Sequence, residues 1–243
     1  MTPDLVYASI VVLTGYLILG VTGFGSSLFI VPLLSWQWPL PHVVALALLL
    51  DIPASVMFGG LNFKQVDFGE LLHLLPGMAV GSVAGFALQG SLDPRWPVLA
   101  LGLYIAGVGV RAFLRSRPHR QTGTRWRPVA GFAAGFIEVM FATAGPVVLA
   151  WLQRRLSDVH AVRATTPATI VVCATTAVAT IALHGTMGDP QLWTRWAGFL
   201  VLAIVGVAAG NHLARSIPAQ VLAKLVCGML VASGVSLAIR AIA

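Results

Sequence analysis

Charge is what this sequence has least of. Asp, Glu, Lys and Arg together supply 9% of the 243 residues, against roughly a quarter in an ordinary soluble domain. From Leu5 to Leu50 there is none at all, and further uncharged runs cover Leu71–Leu92, Trp96–Val110, Ala164–Gly188, Trp196–Ala214 and Leu225–Ile239. Runs of that kind permit no water-soluble fold. Cysteine is scarce too: Cys173 and Cys227 both lie within apolar runs and read as small core residues, not as a disulfide or a metal pair. The start, Met-Thr-Pro-Asp, has no basic stretch, so no cleavable signal is expected. Catalytic motifs are missing as well: there is no His-Glu-x-x-His, no Walker loop and no Cys-x-x-Cys. Ser26 with His73 could be forced into the role of an intramembrane protease, yet no oxyanion pattern accompanies them. No enzyme, cofactor or metal is expected.

What is present is apolar sequence. Hydrophobic residues reach 58% and the mean hydropathy is +0.88, and about 20 such residues in a row suffice to cross a bilayer. The fold class is therefore all-α integral membrane protein, with about eight hydrophobic segments. The first, 4–36, is broken by Thr22-Gly23-Phe24-Gly25-Ser26-Ser27, and spans at 40–61, 68–90 and 95–114 follow it. The fifth, 128–153, is broken by Ala142-Thr143-Ala144-Gly145-Pro146, and spans at 159–184, 192–213 and 218–240 complete the chain. The net charge of +7 and pI near 10.5 do not point to nucleic acid. Six of the fifteen basic residues fall between Arg111 and Arg127, and basic loops beside spans mark the cytoplasmic side.

The halves 1–121 and 122–243 correspond. Each opens with a helix-breaking cluster, then a Trp (Trp36, Trp151) and a His (His42, His160) at the head of the next span. If all eight segments cross fully, Lys and Arg divide 9 to 6 between the two sides. If segments one and five are re-entrant hairpins, Arg95, Arg195 and Arg240 lie on one side and the other twelve opposite, which is the bias the positive-inside rule leads one to expect. Three true crossings per half then make the halves inverted repeats within one membrane domain. Both termini are expected outside, with the loop 111–127 cytoplasmic, in a bacterial inner membrane. Lipid is the expected environment and a homodimer is left open.

Broken helices in hydrocarbon are tolerated only where they are buried in protein or line a wet cavity, so the two breaks are the candidate functional places. Ser26 and Ser27 are expected as N-caps of the half-helix after the first break, and Gly145-Pro146 opens the half-helix after the second. Each new start presents free N–H groups and roughly half a positive charge. Two converging starts make an anion site that needs no lysine. Gly23, Phe24, Gly25, Ser26, Ser27, Thr143, Ala144, Gly145 and Pro146 are thus candidate binding residues, although small residues also serve close helix packing. Arg163 either snorkels to headgroups or draws anions toward the cavity. Thr165 and Thr166, beside Pro167, either satisfy backbone or hydrogen-bond substrate. Asp51 and Glu138 are acids inside apolar sequence and are candidate carriers of a coupling proton; otherwise each is a neutral hydrogen-bonded acid, with His73 a candidate partner for Asp51.

The run Gly20-Val-Thr-Gly-Phe-Gly-Ser-Ser-Leu-Phe-Ile-Val-Pro32-Leu-Leu resembles the glycine-rich segment and Val-Pro-Leu-Leu of the TauE/SafE family of membrane transporters, the sulfite and organosulfonate exporter group. Gly131-x-x-x-Gly135, Ala144-Gly145-Pro146 and Arg163-Ala164-Thr165 are similar to the repeated version of that pattern. The family's triple glycine is Gly25-Ser26-Ser27 here. The resemblance implies passage of small sulfur-containing or carboxylate anions across a bacterial inner membrane without ATP hydrolysis. The expected function is secondary transport of such an anion, with proton coupling. An uncoupled anion channel, a membrane enzyme or an accessory subunit are the alternatives.

Overall fold

The computed structural model describes residues 3–59, 66–93, 95–114, 123–156, 158–184 and 187–214, together with 231, 235 and 239. The segment expected at 218–240 lies almost wholly outside the described residues, as do residues 115–122 of the basic loop. Regular structure among the described residues is helical: α1 (Pro3–Thr22), α2 (Ser26–Leu34), α3 (Leu40–Gly59), α4 (Phe68–Ser91), α5 (Arg95–Leu114), α6 (Arg127–Phe141), α7 (Gly145–Arg155), α8 (Val159–Leu183) and α9 (Pro190–Leu213), with a short 3₁₀ turn at Thr124–Trp126 ahead of α6. Five of these helices, α1, α3, α4, α8 and α9, are long and apolar enough to cross a membrane. Short acids cap two of the long helices: Asp67 accepts from Glu70 N–H (2.9 Å) at α4, and Asp189 from Gln191 N–H (2.9 Å) at α9. A proline within α3, Pro53, has no N–H for the Leu49 carbonyl. The indole of Trp196 on α9 takes that carbonyl instead, at 3.0 Å.

Both broken segments fold back on themselves. The Tyr7 hydroxyl near the start of α1 reaches the Leu33 carbonyl near the end of α2 at 3.4 Å, and Gly15 packs against Ile30 and Ser26 so closely that a Cβ there would collide with the Ile30 side chain. Hence α2 returns along α1. In the second segment, Glu70 at the head of α4 holds both Arg127, the first residue of α6, and Arg155, the last of α7, each at 2.8 Å. One carboxylate can grip both ends only if α7 returns along α6.

The two hairpins open at opposite ends of the bundle. Beside the open end of the first lies the start of α9, where the Arg195 guanidinium stacks 4.2 Å from the Trp38 ring. Beside the open end of the second lie the starts of α4 and α8, joined by a bond from Asp67 N–H to Thr165 Oγ1 (3.0 Å). Glycine lets neighbouring helices approach closely. On α4 and α6, Gly77, Gly81 and Gly85 face Gly131 and Gly135 with no room for a Cβ on either side; a Cβ on Gly81 would lie 2.9 Å from Phe136 N. On α1 and α9, Gly20 faces Gly210 in the same manner. Among the described residues α4 packs on α6 and α1 on α9, α3 on α9 and α8 on α4, and α3 meets α8, while α6 also packs on α8 with no comparable contact between α1 and α3.

Candidate functional site

At the first break α1 ends at Thr22, and Gly23 (φ 84°) and Gly25 (φ 97°) turn the chain in left-handed conformations that cost other residues about 1–2 kcal/mol. Gly25 is the N-cap of α2 and no side chain caps it. Ser26 and Ser27 are therefore not the caps expected of them. They occupy the first turn, where their hydroxyls point across to α3. Ser26 Oγ donates to Asp51 Oδ1 (2.8 Å), Ser27 Oγ donates to Asp51 Oδ2, and Tyr16 Oη on α1 donates to Asp51 Oδ1 (2.9 Å). Asp51, 3% exposed, is thus a carboxylate held by three hydroxyls beside the positive end of α2. His73 does not partner it. The His73 ring is exposed and lies on its own helix, Nδ1 2.6 Å from the Gly69 carbonyl.

The second break is closed differently. Ala142 takes a left-handed φ of 54°, with its N–H on the Glu138 carbonyl (2.6 Å). Glu138 Oε2 accepts the Ala144 N–H at 2.7 Å, so an acid from α6 caps the start of α7. Pro146 sits in the first turn of α7, where its missing N–H leaves nothing unsatisfied. Tyr104 Oη on α5 donates to the Thr143 carbonyl (3.1 Å) and holds the turn from outside. Two buried polar atoms here have no partner, Glu138 Oε1 and Thr143 Oγ1.

The breaks meet at a small hollow. Its polar lining is Ser26, Ser27, Asp51, Glu138 and Thr143; Leu19, Phe24, Leu28, Pro146 and Ile170 give it apolar walls, and Gly25, Ala142 and Gly145 complete it. Gly145 lies against the Phe24 ring, so the two breaks touch. Of the residues expected from sequence, Phe24, Gly25, Ser26, Ser27, Asp51, Glu138, Thr143, Gly145 and Pro146 come together here. Gly23 and Ala144 shape the turns behind it. Thr165 and Thr166 do not reach it: the first accepts from Asp67 N–H, and the second donates to the Val162 carbonyl (2.7 Å). Their backbone roles follow from α8 starting at the far end of the bundle, beside α4. Arg163 belongs to α8, and its side chain lies outside the described residues. Among the described residues no group of three His, Cys, Asp or Glu side chains could hold a metal ion.

Sequence reasoning missed three residues of this architecture. Tyr16 and Tyr104 are phenols within uncharged runs and carry no distinguishing pattern. Glu70 could have been found, since it is the one acid heading the third span while Arg127 and Arg155 bracket the second broken segment.

Residues 7–237 match the family described as sulfite exporter TauE/SafE. The chain is 45% identical over 193 residues to the probable inner membrane transporter protein TsaS of Comamonas testosteroni, an alignment covering 79% of this chain and 81% of that protein. No solved structure matches the chain.

Proposed function

Because this chain belongs to the sulfite exporter TauE/SafE family, and so is a multi-pass transporter of a bacterial inner membrane and not an enzyme, we propose that it moves a small oxyanion by secondary transport coupled to protons. The substrate class is sulfite, an organosulfonate or a related carboxylate. The reading rests above all on one observation: two helix starts and two buried carboxylates, Asp51 and Glu138, converge on a single hollow between hairpins that open at opposite ends. Helix starts favour anions, and ionisable groups at such depth mark ion or proton pathways.

We read the chain as two inverted repeats, each a re-entrant hairpin followed by three spans, with the hollow on the axis between them. Support comes from the matched pairings of α4 on α6 with α1 on α9 and of α3 on α9 with α8 on α4 and from the 12-to-3 division of basic residues. Both termini are then outside, and the Glu70–Arg127–Arg155 end of the bundle is cytoplasmic, where Arg163 draws anions toward the cavity. Rocking of one repeat against the other alternates access. Purified protein in liposomes loaded with sulfite, thiosulfate, sulfoacetate or acetate, at two pH values, tests the reading by counterflow. Accumulation of at least one of these anions, faster with a proton gradient, is the expected result. A chain that accumulates none of them is not this transporter, and flux far above carrier rates that ignores the gradient makes it a channel.

A further inference from the structure

Resting on the transport reading above, we propose that Asp51 is a built-in stand-in for the transported oxyanion: it holds the Ser26 and Ser27 hydroxyls while the site is empty, and surrenders them to substrate when it takes up one proton. Glu138 and Thr143 supply the contacts that Asp51 does not make.

The serines define the cradle. They are consecutive residues in the first turn of α2, and each donates to a different oxygen of the same carboxylate. A donor pair that grips the O–C–O edge of Asp51 also suits the O–S–O edge of a sulfonate or sulfite. The cradle is already full, however, and two like charges in one buried hollow oppose each other. Among the described residues no basic side chain lines the hollow to offset the second charge. An anion therefore enters with a proton.

The hydrogen bonds decide which acid takes it. Every donor on Asp51 is a hydroxyl, and a hydroxyl can rotate from one acceptor to another. Glu138 is pinned through Oε2 to the Ala144 amide, which is fixed in the backbone and released only by opening the second break. Glu138 thus stays in place. Its Oε1 and the nearby Thr143 Oγ1, on residues 1% and 3% exposed, have no partner, and a bound oxyanion completes both when Oε1 carries a proton. Tyr16 touches Asp51 from α1, Tyr104 on α5 holds the Thr143 carbonyl, and Cys173 on α8 lies within electrostatic reach of Glu138; no other titratable group among the described residues faces the pair.

The proton count closes. One proton from the aqueous side binds an Asp51 oxygen as one monoanion takes the serine hydroxyls; on the other side both leave, and Asp51, again ionised, recovers the serines. The site carries one negative charge loaded and empty, and each cycle moves a proton with a monoanion.

Methanesulfonate and ethanesulfonate keep their single negative charge across the useful pH range and serve as labelled probes, in equilibrium binding to the purified chain and in liposome exchange. For the wild type, affinity should fall about tenfold per pH unit on the alkaline side, as one coupled proton requires. D51N should bind with an affinity that varies less than about twofold over the same range, while E138Q should bind more weakly yet keep the wild-type slope. Melting in detergent controls for folding. Should D51N not fold, S26A and S27A test the donors directly: each should weaken binding at least about tenfold at acid pH. A slope that persists in D51N, a slope lost in E138Q instead, or serine variants that bind as the wild type does overturns the stand-in while transport stands. A wild type that exchanges neither probe overturns the transport reading itself.

Discussion

At the first break, the carboxylate facing the new helix start comes from α3, a separate segment, and reaches it through side-chain hydroxyls. At the second, the carboxylate comes from the hairpin's own first helix and binds a backbone amide. The open ends reverse this economy. The second hairpin is clamped by Glu70 to two arginines, whereas at the first, among the described residues, Tyr7 hydrogen-bonds the Leu33 carbonyl and Arg195 stacks on Trp38 with no carboxylate between them. Two helical hairpins thus carry unlike chemistry at their breaks. The first break holds its acid with hydroxyls that can rotate, and the second with a backbone amide that cannot.

The largest effect should come from the helix seams that both halves share. Gly135→Leu on the α4–α6 seam and Gly210→Leu on the α1–α9 seam put side chains where even a Cβ meets backbone. Each should lose more than the roughly 1–3 kcal/mol usual for overpacking, to the point that little folded protein survives detergent extraction. If one seam tolerates the change, the packing equivalence of the two seams is broken. Next in size is Glu70→Ala, which strands two arginines. Removing one partner of a fully buried pair costs about 3–5 kcal/mol, and since both arginines are about one-fifth exposed roughly half of that is expected as a lower melting temperature. Tyr7→Phe, its counterpart in the first hairpin, should cost under about 1 kcal/mol, and an equal loss at both ends would erase the contrast drawn above. Smallest is Tyr104→Phe, which removes one hydrogen bond to the Thr143 carbonyl; exchange should slow by no more than about fivefold, in keeping with a net bond of about 1 kcal/mol.

Element positions were largely legible. The runs 40–61, 68–90 and 95–114 became α3, α4 and α5, because uninterrupted apolar sequence in a membrane has no low-energy alternative to helix. Both breaks fell where glycine and proline clusters stand. The site was half legible. Glycines at left-handed positions and acids in apolar runs are conspicuous locally, so Gly25, Asp51 and Glu138 could be singled out. Local reasoning failed on roles. Ser26 and Ser27 have the composition of caps, yet the acceptor that claims their hydroxyls is far along the chain, on α3. For Thr165 and Thr166 local sequence left backbone and substrate roles open, and the bundle places them beside α4, where backbone groups use them.

Composition alone determined that this chain lives in a bilayer as helices, and the small-residue clusters determined where those helices must stop, since both follow from what each short stretch can satisfy without help. Which acid answers which helix start was decided by the tertiary structure. Hydrogen bonds such as those from Tyr16, Ser26 and Ser27 to Asp51 join groups distant along the chain, and only the packing of α1, α2 and α3 brings them within reach.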